Sequence, residues 1–279
     1  MTLNTRLNAG VAPPDEVDDG HPALGTTQIS VLGGFRFVHD GVEVTLPEAT
    51  EHLLAFLAVK DRAVRRTNVA AVFWPDASEK QAMANLRSAL WRLVGPQHDA
   101  LDVLTRSVGI RSWVQVDLHG AAALARRLID KRCLVSHDEL ARASELLRDN
   151  LLPDWYDDWA LQESERWRQL RLHALESLAQ RQIDAGRYAQ ALDAALLCVE
   201  ADPLRETAHA EVIKVHLAEN NRSEAIRAFD RCRSIVLREL GLEPSDHLQS
   251  LIGSTPQMTA HLVRRLPLHS LETLQREAL

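Results

Sequence analysis

The sequence predicts a mainly α-helical chain of two units, a small α+β unit followed by an all-α one. Three observations carry this reading. Alternating apolar and polar residues with a tight-turn dipeptide occupy positions 28–46, three short helical patterns and further β-rich sequence follow to about 117, and beyond 118 strand signals are scarce. A chain of 279 residues, 46% hydrophobic and 25% charged, is long enough for two cores.

In order along the chain, residues 1–26 hold Pro13, Pro14, Asp15, Glu16, Asp18, Asp19 and Pro22 with few large apolar side chains. Such a stretch buries too little surface to offset its ordering entropy and is expected to be a disordered tail. From Gln28 to Leu46 the alternation reads as a small sheet, with Asp40-Gly41 supplying the positive φ of a hairpin. Leu53, Leu54, Phe56 and Leu57 then mark a helix. A second helix is expected from Thr67, as N-cap, through Val69, Val72 and Phe73 to Trp74-Pro75. A third begins near Ser78 and runs to Leu93, before Gly95-Pro96. The segment LDVLTRSVGIRSWVQVDL reads as two strands around a turn at Val108-Gly109. Strands, three helices and a terminal hairpin are the order of a winged helix-turn-helix of the response-regulator type, placed at 27–117.

From 118 to 252 the segments keep helical periodicity. Ala191-Leu192 recurs as Ala225-Ile226, an offset of 34 residues that equals the tetratricopeptide period. Each helical hairpin of such a repeat leaves an apolar face that the next must cover. The second unit is therefore read as an all-α, tetratricopeptide-like domain, and 253–279 as a helical extension. Trp155, Trp159 and Trp167 are expected to anchor packing between its hairpins.

The third helix carries the chemistry. On a helical wheel Met83, Leu86, Leu90 and Leu93, with Ala82 and Ala89, form the core face, whereas Gln81, Ala84, Ser88, Trp91 and Arg92 project away and Lys80, Asn85 and Arg87 flank them. Arg pairs bidentately with guanine, Asn or Gln with adenine, and small residues permit close approach, so this face suits the major groove. Residues 80–111 hold five bases against two acids within a chain of net charge −7. Arg65 and Arg66, beside the helix start at Thr67, are candidates for phosphate contacts. Arg106 and Arg111 flank the expected wing tip, within reach of a phosphate or the minor groove. The alternative for each is an ordinary solvated charge on a helix or hairpin.

Other classes find little support. Cys133, Cys198 and Cys232 are odd in number, widely spaced and set in apolar helical patterns, which reads as buried thiols in a reducing cytoplasm. The twelve histidines show no metal-ligand spacing, and no phosphate loop, dinucleotide fingerprint or nucleophile elbow occurs. No enzyme activity, cofactor or metal is expected. No apolar run is long enough to span a membrane.

VLGGFRFVHDGVEVTL, FWPDASEKQAMANLRSALWRL and a strand ending in VQVDL together resemble the DNA-binding domain of the Streptomyces antibiotic regulatory protein family. LLPDWYDDWALQESERWRQLRLHALE, AGRYAQAL, ADPLRETAH and RELGLEPS resemble that family's bacterial transcriptional activator domain. The resemblance covers about 28–252. It implies a cytoplasmic activator that binds direct repeats in double-stranded DNA near promoters, engages RNA polymerase and self-associates on DNA. A small-molecule effector is unspecified. Larger members add a nucleotide-binding module, for which no motif occurs here. Relatives often carry a further basic residue at the position of Val94, and acids and bases balance at ten each over 26–118. A single module is thus expected to bind modestly and tandem placement to supply affinity. Two rivals remain at this level: a repressor on the same fold, and an adaptor or ligand sensor whose winged helix does not bind DNA.

Overall fold

The computed structural model describes residues 26–253. The tail expected before 27 and the extension expected after 252 fall, apart from Thr26 and Gly253, outside the described residues.

The N-terminal unit opens with β1 (Thr27–Ser30), β2 (Arg36–His39) and β3 (Val42–Glu43). Asp40 and Gly41 link the last two with φ of 50° and 76°, the double positive φ expected of this dipeptide. Helix α1 (Glu48–Lys60) buries an unbroken run from Leu53 to Val59, because it is covered by both units of the chain. A two-residue strand, β4 (Val64–Arg65), then leads directly into α2 (Arg66–Phe73). Helix α3 (Glu79–Trp91) starts at its N-cap Ser78, whose side chain accepts from the Gln81 amide at 3.3 Å. A short turn, α4 (Pro96–Asp99), precedes β5 (Leu101–Val103), β6 (Ser107–Ile110) and β7 (Gln115–Val116).

Three local expectations are corrected. Thr67 is not an N-cap: Arg65 caps α2, and Thr67 lies inside its first turn. Helix α3 ends at Trp91 with Arg92 as C-cap, so Leu93 packs from outside the helix. The hairpin turns at 104–106, whereas Val108 and Gly109 sit within β6. Gly109 has a different physical role there. A Cβ at that position would lie 3.0 Å from the Ala63 Cα, so glycine lets β6 approach the chain entering β4.

The strands form two sheets. One has the order β3-β2-β1-β7, antiparallel except for β1 against β7, and the other the order β4-β6-β5, all antiparallel. The last strand of the segment thus joins the N-terminal sheet, and the wing is the β5–β6 hairpin.

The helical unit comprises α5 (Asp117–Ile129), α6 (His137–Leu146), α7 (Asp158–Asp184), α8 (Tyr188–Ala201), α9 (Glu206–Ala218), α10 (Arg222–Leu240) and α11 (Asp246–Gly253). Successive helices from α7 to α11 pack on one another, and α7 also meets α9, and α9 α11. The alanines of the 34-residue offset, Ala191 in α8 and Ala225 in α10, are both fully buried. Cys198 and Cys232 are buried, and burial pushes their thiols up to about 12 and about 11, while Cys133 is only half-buried. Arg181 of α7 donates to the carbonyls of Leu128, Asp130 and Cys133, closing the C-terminal end of α5.

The two units share one core. Trp159 meets Phe56 edge-on at 5.2 Å, and Trp155 stacks on His52 at 4.1 Å, both partners belonging to α1. Trp155 and Trp159 therefore join the helical unit to the N-terminal one and do not pack between helical hairpins; Trp167 donates to the Asp149 carbonyl. The Asp117 carboxylate accepts from the amides of Val31, Leu32 and Leu118, and Lys60 pairs with Glu163 at 2.6 Å. Burial raises the Asp117 pKa against the pull of those amides.

Candidate nucleic-acid interface

Helices α2 and α3 pack together across the Trp74–Ser78 break, and this fixes which side of α3 faces outward. Ala82, Leu86, Leu90 and Leu93 are buried, with Met83 and Ala89 half-buried beside them. Lys80, Gln81, Arg87, Ser88, Trp91 and Arg92 are exposed, and Ala84 and Asn85 half-buried. The outward side is thus polar, cationic and small near its middle, as the helical wheel requires.

Its polar groups are partly pre-arranged. Gln81 donates its side-chain Nε2 to Asn85 Oδ1 at 3.0 Å, one turn along the same face. The Ser88 hydroxyl donates back to the Ala84 carbonyl at 3.1 Å, leaving its oxygen free to accept. Trp91, 88% exposed at the last helical position, is a large apolar surface that the fold itself does not cover.

A second cluster forms around the wing. Arg65 lies opposite Ser107 in the β4–β6 pairing, and the Arg66 amide donates to the Arg106 carbonyl at 3.0 Å. The strand pairing therefore gathers Arg65, Arg66 and Arg106, which are distant in sequence. Arg65 and Arg106 are exposed; Arg66 is half-buried, and its Nε is enclosed without a hydrogen-bond partner. Thr67 is exposed on the first turn of α2. Arg111 stands apart: it lies past the far end of β6, away from the turn, and its Nε donates to the Leu101 carbonyl at 2.9 Å. It braces the base of the wing.

Part of the positive charge of the N-terminal unit is left without a carboxylate. Among the described residues Lys80, Arg87, Arg92, Arg65 and Arg106 make no ion pair, whereas in the helical unit Arg127, Arg168, Arg205, Arg227 and Arg233 each hold a carboxylate. Five unpaired cations thus sit on α3, the start of α2 and the wing, where they repel one another until an anion arrives. The β4–β6 link that brings them together carries no sequence signal beyond two residues.

Among the described residues no helix is long and apolar enough to cross a membrane, and no group of three or more His, Cys, Asp and Glu is placed to hold a metal ion.

Comparison with known proteins shows what this architecture is similar to. The bacterial transcriptional activator domain model matches residues 116–254. The regulatory protein AfsR of Streptomyces coelicolor is 26% identical over 264 residues, which cover 88% of this chain and 26% of AfsR. Residues 116–254 are thus of the bacterial transcriptional activator domain family, and the chain as a whole is similar to regulators of the Streptomyces antibiotic regulatory protein type. The chain also shares its fold with Mycobacterium tuberculosis EmbR, solved in complex with a low-affinity phosphopeptide. The TM-score is 0.61 at 17% identity, over 82% of this chain and 64% of that one. The chain thus spans about a quarter of the length of AfsR and under two thirds of EmbR.

Proposed function

We propose that the regulator binds double-stranded DNA by laying α3 in the major groove and activates transcription from promoters carrying direct repeats. The observation that carries this is the outward side of α3, where exposed Gln81, Arg87, Ser88 and Arg92 lie beside half-buried Asn85 and no carboxylate neutralises the arginines. Arg87 and Arg92 supply bidentate donors for guanine. The Gln81–Asn85 pair leaves one free acceptor and one free donor side by side, which matches an adenine edge.

Arg65, Arg106 and the first amides of α2 hold phosphates on either side of the groove and set register without reading sequence. Lys80 adds a further phosphate contact. Arg111 contributes through the wing it braces, and Trp91 packs against sugar and backbone at the end of α3. Because acids and bases balance over 26–118, one module binds modestly, and two placed head to tail on repeats multiply affinity through effective concentration. The helical unit then presents a surface to RNA polymerase, in the cytoplasm.

Footprinting on the DNA that the protein occupies in cells tests this. Two protected patches in the same orientation, about 10–11 base pairs apart, are expected. A single unrepeated patch contradicts tandem binding. A reporter assay with and without the protein is expected to show a rise in transcription, and a fall makes it a repressor.

A further inference from the structure

Between the N-terminal sheet and the helical unit lies a cleft of about 500 Å³, a volume within the roughly 300–1,000 Å³ range of small-molecule sites, which favour domain junctions. Ile29 of β1 and Val116 of β7 form one wall, Ala121 and Leu124 of α5 the floor, and α6 the opposite wall.

Most charged groups in this cleft already have partners. Asp117 is held by three backbone amides, and Arg127 and Glu139 hold each other, Glu139 also accepting from Ser136. Two do not. Asp138 and Arg142 stand one turn apart on α6, exposed to the cleft, with no hydrogen bond or ion pair to any described residue. One free anion and one free cation thus rim an apolar floor.

Gly120 keeps the cleft open on the α5 side. It lies within α5, where glycine costs about 0.8–1 kcal/mol relative to alanine. A Cβ there would meet no atom within 4 Å, so packing does not demand glycine; the open space beside it is the cleft.

We propose that the cleft is a binding site for a zwitterionic small molecule with an apolar body, the chemistry of an apolar or aromatic amino acid. Its carboxylate pairs with Arg142, its ammonium with Asp138, and its side chain covers Leu146, the exposed apolar residue of the α6 wall. Such a ligand bridges α6 to the sheet of the winged-helix unit, and so stiffens the join between the two units. The site stands on its own geometry and is independent of the DNA-binding reading.

Saturation-transfer NMR on the full chain without DNA tests it, with phenylalanine, leucine and tryptophan as probes and N-acetylphenylalanine and phenylalanine amide as analogues lacking one charge. At least one amino acid is expected to bind saturably, with Kd at or below about 1 mM. For phenylalanine each analogue is expected to bind at least tenfold more weakly. Arg142→Ala and Asp138→Asn, both on the exposed surface, are each expected to weaken binding about tenfold, and Gly120→Phe to abolish it. Absence of saturable binding by all three amino acids overturns the proposal. So does equal binding of the analogues, or unchanged binding in both exposed-residue variants.

Discussion

Glycine at position 109 shows how one residue fixes the wing. Because a Cβ would sit 3.0 Å from backbone at Ala63, Gly109→Ala must push β6 off the chain entering β4. A loss of about 1–3 kcal/mol is expected in denaturant melts, the usual cost of overpacking. In the sequence this glycine read as a turn, because Val-Gly between β-rich runs carries the same signal whether the glycine bends the chain or lets two backbones touch. The structure separates these by showing what lies beside it. Arg181 makes a comparable point: its donation to four carbonyls at and just past the end of α5 is expected to make Arg181→Ala about 2–3 kcal/mol less stable, again by denaturant melts. Nothing in the local sequence signals that role, since its partners lie some fifty residues away.

Among the elements, α6 is the one whose stability depends most visibly on pH. Its capping box joins Ser136 to Glu139, and Arg127 of α5 grips the same carboxylate, holding Glu139 down to about 2. A carboxylate whose folded pKa is depressed stabilises above its unfolded value of 4.5, and that contribution is lost as pH falls toward about 2. Glu165, also held at about 2, by Arg168 and Gln169, acts in the same direction, whereas Asp117, with its pKa raised, favours the folded chain slightly more as pH falls. Thermal melts of Glu139→Gln are expected to show a lower Tm than wild type at pH 7 and a smaller further drop between pH 4.5 and 2. Helices such as α1, α3 and α7 were legible because their apolar spacing and breaks are local. The two-residue β4 was not, since it exists only through pairing with β6. The candidate interface divides the same way: the outward side of α3 follows from its wheel, but the gathering of Arg65 and Arg106 depends on strand pairing, and the bracing role of Arg111 on a carbonyl in β5.

At the scale of the molecule the sequence reads as two units with separate cores, and the structure joins them. Phe56, Trp155 and Trp159 meet across the seam, with Lys60–Glu163 beside them. The tryptophans read as internal anchors of a helical array because aromatic spacing just before and along α7 reveals burial but not the partner. Trp159→Ala is expected to cost about 3–5 kcal/mol. Calorimetry of the wild type should give a single unfolding transition, and two well-separated transitions would show that the seam does not couple the units.

The central claim is that the outward side of α3 reads DNA. Its most direct test is the affinity of wild type, Arg87→Ala and Arg92→Ala for the same repeat-bearing fragment at one fixed salt concentration, with matched melting temperatures as the control for folding. Each substitution is predicted to weaken specific binding by about 1–3 kcal/mol and to relax the base preference at one position. Unchanged affinity and unchanged base preference in both variants would contradict the account.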